Sequence, residues 1–383
     1  MGFWIFMLIC NLLIPLLMLG FGWWFKDHAP KTINTIYGYR TAMSMKNMDT
    51  WKFAHNYFGK LWWKTGRIML PVSAAAMLLV LGKEEESNFE VVKDHDGKLY
   101  YTYFTAEIND VSLEAEKTKK LAEAVEDGDT KLLYVMPPAK YIHGYTEFST
   151  GIPYNMANET ADDFLNRLEG YGVEYLDLRD YLDDSGIPMS EVFYNTDHHW
   201  KIQTAFWAAS RFCDTLEERY GETLDPEGFY KDKENYNFIT YEDIFLGSMG
   251  RKTGRFYTEV DDFTLIYPKF ATSYHYENSI SGDLQYTGRF EEALIATPVI
   301  RQSSRPFDTD MYGMYLYGNP AFSHIENLDQ PEGIKVCVIK DSFAVPFSAF
   351  LSLRCNTVDL IDPRFYEGDY YETIEAGDYD YVV

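Results

Sequence analysis

Two short stretches hold side chains whose types and spacing suit one reaction. The first is YNTDHHWK, residues 194–201, where Asp197 precedes His199 by two positions, with His198 between them and Trp200 after. In a loop, that spacing lets a carboxylate orient an imidazole and fix its tautomer, and an imidazole titrates near neutrality. The second is VIKDSF, residues 338–343, where Ser342 follows an apolar strand pattern of Ile334, Val336, Val338 and Ile339. A helix pattern comes next, with its effective start near Pro346. A serine at the carboxyl end of a parallel strand points its hydroxyl into the crevice where such sheets bind ligands. Its amide lies near the positive end of the next helix, where a developing oxyanion is stabilised. The hydroxyl still needs a base to attack at neutral pH.

Plainer readings stand beside this one. Ser342 alone is accounted for as a helix cap. Asp197 is accounted for as the cap of the helix after Lys201, with Trp200 packed under it or shielding the pair. His198 would point toward the sheet or a substrate. Asp197, His198 and His199 are also formal metal ligands, but adjacent histidines rarely converge on one ion and no Cys/His cluster supplies the remaining ligands. The nucleophilic reading therefore expects no metal and no cofactor.

The elements that must position these groups are legible as alternation. The periodicity predicts a helix over 113–127 stopped by Gly128, a strand over 131–138 ended by Pro137, a helix over 159–172 and a strand beginning at 173. A long amphipathic helix follows over 201–220, its apolar face made of Ile202, Phe206, Ala209, Phe212 and Leu216. The strand, turn and helix of 333–355 lead to a strand in 356–366 and another at YDYVV. Such order predicts an α/β domain with a mostly parallel sheet covered on both faces. Residues 83–110 read as a linker or hairpin arm. Residues 221–320 break the rhythm and read as an irregular, turn-rich insertion walling a cleft; its glycines, Gly247, Gly250 and Gly254, do not form a Walker A loop.

Composition sets the surroundings. Residues 1–82 carry eight Lys/Arg against two Asp/Glu, whereas residues 83–383 carry 26 against 57. So acidic a domain repels nucleic acid and anionic lipid surfaces. Cys10, Cys213, Cys337 and Cys355 show no zinc spacing and read as small buried hydrophobes. Residues 3–25 are uncharged over 23 positions and long enough to span a bilayer. A second apolar run, 68–82, is short for a span, with Lys64, Arg67 and Lys83 placed to snorkel. All eight positive charges of this region lie in 26–67, which the positive-inside rule places in the cytoplasm. If both runs cross, everything after Gly82 is extracellular; if the second does not, the large domain lies inside.

Two resemblances add to this reading. GYRT with Ser44, Lys46, Trp51 and Ala54, over about 1–82, resembles the SdpI-type membrane family, in which a loop of this kind joins hydrophobic helices. Some members are linked to immunity against a secreted toxin; a plain anchor is the alternative. TDHHW, VIKDSF and the intervening FLGSMGRKTG, over about 110–383, resemble the DHHW protein family, similar to the SGNH hydrolase-like alginate O-acetylation proteins AlgX and AlgJ. That resemblance implies an SGNH-hydrolase-like three-layer domain in permuted order, preceded by one or two transmembrane helices. It carries Ser342 to the nucleophile, His199 to the base and Asp197 to the acid. It offers Gly318 and Asn319 as oxyanion or substrate donors, with His198 and Trp200 nearby. Two departures are visible: Lys340 stands where a glycine is usual, and the sequence given ends at DYVV, where related domains are expected to continue. The implied activity is a membrane-anchored serine acyl esterase or O-acetyltransferase of a bacterial plasma membrane, its large domain outside. The implied partners are a cell-envelope polysaccharide or other O-acylated glycan and a membrane acyl-donor protein. The alternative is a non-catalytic surface carbohydrate-binding or immunity-like membrane protein.

Overall fold

The computed structural model describes residues 2–34, 36–81, 90–103, 105–126, 129–148, 152, 156–279, 284–296 and 309–383. Gly82, residues 83–89 and Gly128, which the sequence assigns to a linker and a helix stop, lie outside them. The chain forms two units, Met1–Glu86 and Ser87–Val383.

In the first unit, α1 (Gly2–Asp27) packs on α2 (Met48–Leu81). Small residues allow the close approach: a Cβ at Gly59 would sit 2.2 Å from the Lys26 nitrogen, and one at Gly22 would sit 2.4 Å from that of Trp63. Among the described residues, one helix is long and apolar enough to cross a membrane, Leu8–Asp27, with mean hydropathy 1.9. The expected loop between the two apolar runs is shorter than 26–67. It gives way to helix at Met48, because Asn47 Oδ1 accepts from the amides of Asp49 and Thr50 and so caps the first turn. The apolar run at 68–81 is thus the end of a 34-residue helix. The GYRT turn is tied to this helix through the buried His55, whose Nε2 accepts from the Tyr39 amide at 2.9 Å while Nδ1 donates to the Trp51 carbonyl.

The second unit opens with a hairpin, β1 (Val91–Lys93) and β2 (Leu99–Tyr101). The 131–138 run divides between β3 (Lys131–Leu132) and β4 (Tyr134–Met136), the latter pairing in parallel with β5 (Tyr175–Asp177). Next come the hairpin β6 (Tyr236–Phe245) and β7 (Asp261–Pro268), then β8 (Tyr274–Asn278), β9 (Leu284–Gly288), β10 (Phe322–Asn327), β11 (Lys335–Ile339), β12 (Thr357–Ile361) and β13 (Tyr381–Val382). The main sheet has seven strands in the order β3-β13-β11-β12-β10-β8-β9, parallel from β3 to β12 and antiparallel beyond.

Side-chain patterning explains this split. The middle of β11 and all of β12 are buried, as strands covered on both faces must be. β8 and β10 alternate buried with half-buried residues, as suits strands that bury one face. Helices Ile202–Tyr220 and Ala344–Leu351 bury Phe206, Phe212, Phe347 and Phe350 against Val336, Val338, Val358 and Leu360. Helices Ser112–Glu126, Ala157–Tyr171 and Tyr370–Gly377 cover the other face, burying Ala115, Leu168 and Ile374 against Cys337 and Ile361 of the strands. The result is a three-layer α/β domain. Residues 221–320, expected as an irregular insertion, supply two strands of the main sheet, because Tyr274, Tyr276 and Asn278 all turn inward.

Candidate active site

Ser342 lies just past the carboxyl end of β11, one residue before the Phe343 that opens helix Ala344–Leu351. Residues 194–201 lie just before helix Ile202–Tyr220, and this helix packs on Ala344–Leu351. That packing brings the two stretches together. His199 Nε2 lies 2.7 Å from Ser342 Oγ, and His199 Nδ1 lies 2.5 Å from Asp197 Oδ1. An ionised carboxylate only accepts, so Nδ1 carries the ring proton and Nε2 offers its lone pair to the serine hydroxyl. Burial alone would favour a neutral Asp197. The hydrogen bond from His199, the two neighbouring imidazoles and the His199 amide outweigh it and hold the carboxyl well below the usual range.

The surrounding groups fix this geometry. Asp197 Oδ2 accepts the Ser248 amide at 2.7 Å. Gly247 lets that amide come so near, since a Cβ there would lie 2.2 Å from Asp197 Cβ. Asp261 accepts from the Asn195 amide and from the amide and hydroxyl of Thr196. Lys140 Nζ donates to the carbonyls of Asn195 and Asp197 at 3.0 and 2.7 Å. Its stem is half-buried but its amine is enclosed, and burial pulls the pKa down to about 7 against the pull of Asp261 and Asp197. Tyr312 stacks on His199 with ring centres 3.9 Å apart, and Trp200 Nε1 donates to the Phe343 carbonyl. Sequence reasoning did not single out Lys140, Asp261, Ser248 or Tyr312. Only the Gly247 cluster carried a local signal.

The other expected residues have distinct places. His198 turns away from Ser342: its Nδ1 meets Ser248 Oγ at 3.2 Å, and its pKa falls to about 4 through burial and the neighbouring His199. Asn319 accepts from Lys340 Nζ at 2.6 Å and donates to Asp362 Oδ2 at 2.9 Å, so its side chain belongs to a buried ion pair. Gly318, beside it, has φ +108°. Lys340, the departure from the usual glycine, has a fully buried side chain directed into this pair with Asp362 rather than toward the Ser342 hydroxyl. Asp197, His198 and His199 bring ligand atoms within 4.8 Å of one another, close enough to hold a metal ion. In the structure these atoms are engaged instead with Ser248, with Ser342 and with each other.

Residues 188–361 match the DHHW protein family. The DHHW segment thus contains both stretches of the site. Residues 91–236 match the SGNH hydrolase-like domain of the acetyltransferase AlgX, overlapping the DHHW segment at the 194–201 loop, and residues 31–87 match the SdpI/YfhL protein family. Two solved structures share the fold. A DHHW family protein from Eubacterium siraeum is 18% identical with TM-score 0.56, over 76% of this chain and 88% of that one. Bacillus cereus PatB1 is 18% identical with TM-score 0.59, over 76% of this chain and 93% of that one. No curated protein matches the chain.

Proposed function

We propose that Ser342, His199 and Asp197 form the catalytic triad of a membrane-anchored serine acyl esterase or O-acetyltransferase acting on cell-envelope carbohydrate. The 2.7 Å approach of His199 Nε2 to Ser342 Oγ carries this reading. As Oγ attacks the acyl carbon of an ester, Nε2 takes its proton, and Asp197 stabilises the imidazolium that results. The Ser342 amide, at the start of a helix, is the expected first donor to the oxyanion. Collapse breaks the bond to the leaving alkoxide, which takes the proton from His199 and departs as the alcohol, leaving acyl-Ser342. A water or a sugar hydroxyl then gives its proton to Nε2 and attacks the same carbon. The released acid or new ester leaves, and Ser342 regains its proton. Tyr312 stacks on the His199 ring, and Trp200 is tied to the Phe343 carbonyl, which together steady the imidazole through both half-reactions.

The match to an acetyltransferase domain and the resemblance to polysaccharide O-acetylation proteins support an acetyl group and a glycan. Leu8–Asp27 supports an anchor, and the positive charge of 26–67 supports a cytoplasmic linker with the large domain outside. A membrane acyl-donor protein would load Ser342.

The test uses the full chain in membranes. Wild type should hydrolyse p-nitrophenyl acetate and gain one covalent adduct at Ser342 from a sulfonyl fluoride, and Ser342→Ala should do neither. If wild type and variant behave alike, the alternative of a non-catalytic carbohydrate-binding protein takes over. External protease should reach residues 87–383 in intact cells; protection of that unit would place it inside.

A further inference from the structure

The hairpin β1–β2 is docked on the site rather than hanging as an arm. The Leu99 amide donates to the Asn195 carbonyl at 2.9 Å, next to Asp197 in the loop. Lys93 Nζ reaches the Tyr257 carbonyl and lies 4.2 Å from that ring's centre, and Glu90 pairs with Lys252 at 3.0 Å. Tyr101, the last residue of β2, donates its hydroxyl to Ser248 Oγ at 3.0 Å. Its ring stacks on that of Tyr103 at 5.2 Å and 27°, and Tyr103 is 69% exposed. Tyr101 also lies 5.9 Å from the His198 ring, tilted by 52°, and that ring lies 3.9 Å from His199. Five rings therefore run without a break from Phe343, beside the nucleophile, through His199, His198 and Tyr101 to Tyr103.

The strip also carries a polar group. Ser248 Oγ accepts from Tyr101 and lies 3.2 Å from His198 Nδ1, which itself lies 3.5 Å from Asp197 Oδ1. Among the described residues Nε2 has no protein partner, and the side chain is 39% exposed. An exposed tyrosine ring with an imidazole nitrogen free to donate or accept nearby matches a pyranose ring, which has an apolar C–H face and a rim of hydroxyls.

Resting on the acyl-transfer reading of Ser342, we propose that Tyr103, Tyr101 and His198 form a sugar-stacking subsite that seats the glycan beside the nucleophile. The subsite would grip the polymer one or two rings away from the reacting hydroxyl. A small ester that reaches only Phe343 and His199 would not fill it.

Full-length protein in detergent is titrated with chitopentaose and with cellopentaose, followed by saturation-transfer NMR. Wild type should bind at least one of them saturably. Tyr103→Ala should weaken that affinity about three- to tenfold, the range of one lost aromatic contact, and Tyr103→Trp should restore it. His198→Gln, which keeps a polar group able to donate and accept, should bind more tightly than His198→Ala. Thermal unfolding midpoints of all variants check that the fold survives. The proposal is overturned if Tyr103→Ala binds like wild type, or if wild type binds neither oligosaccharide. Ser342→Ala separates the two claims. It should bind the oligosaccharide as wild type does while losing ester turnover; retained turnover sinks the enzyme reading and leaves sugar binding to be judged by itself.

Discussion

Two imidazoles in this domain lean on a carboxylate at nearly equal distance, His199 on Asp197 at 2.5 Å and His324 on Asp359 at 2.6 Å. Each carboxylate has a second donor: the Ser248 amide for Asp197, the Tyr379 hydroxyl for Asp359. The pairs differ in place. His324 and Asp359 are directly opposed on the antiparallel strands β10 and β12, and Cys337 of β11 is opposite Asp359 on its other side. They sit within the ladder, where side chains stand over the sheet. His199 sits in a loop that crosses the end of β11, where the chain turns and frees a hydroxyl. A histidine–aspartate contact therefore does not mark a site by itself; what sets the first pair apart is its place at the end of a parallel strand, where a hydroxyl meets the ring.

The sharpest break of this comparison removes the hydroxyl. Ser342→Ala should lower ester turnover by about 10⁴-fold or more, whereas Asp359→Asn should change it by less than about twofold, both read as kcat/KM. If Asp359→Asn were as damaging as Ser342→Ala, the two pairs would have to be reread as one unit. Asp197→Asn keeps the shape but permits the wrong tautomer, and should cost about 10²–10⁴ in kcat. Gly247→Ala tests the support behind Asp197. The new methyl has no room, so kcat should fall by about 10–100-fold and stability by roughly 1–3 kcal/mol, measured by denaturant unfolding.

The smallest effect is a pH dependence belonging to the other pair. The hydrogen bond and charge of Asp359 raise the pKa of His324 above its usual 6.5, against burial. A raised native pKa means the folded chain holds the proton more tightly. The stabilisation is then complete below pH 6.5 and is lost as pH rises through the native value. The difference in melting temperature between wild type and His324→Gln should accordingly be largest at pH 5.5–6 and shrink toward pH 8–9, an order-of-magnitude window around the reference value. A constant difference would show that His324 is not charged in the fold.

The three residues of the proposed triad were readable because each sits in a local pattern: Asp197 and His199 two apart before an amphipathic helix, Ser342 between an apolar strand and a helix. Their supports were not. Ser248 donates to Asp197 from 51 residues away, Lys140 from 57, and Asp261 holds the Thr196 amide from 65. No local periodicity encodes such contacts. Lys340 looked out of place next to Ser342 for the same reason, since its partner Asp362 lies 22 residues later. The alternation of 113–220 and 333–383 corresponds to the helices and parallel strands of the fold. The antiparallel strands β8 and β9 were hidden because YHYEN and LQYTG are short and rich in Tyr and polar residues, a composition shared with turns. The helix at 48–67 was hidden by its charges, which suit an exposed helix face as well as a loop.

The order of the sheet has a consequence for synthesis. β11, which ends just before the Lys340-Asp341-Ser342 turn, is flanked by β12 and β13, and both leave the ribosome after it. The acid–base loop is made some 140 residues before the hydroxyl it serves. A nascent chain thus carries Asp197 and His199 early, and Ser342 can meet them in the finished sheet only once β12 and β13 flank β11. On the proposed function, the chain stays inert toward esters until that sheet closes.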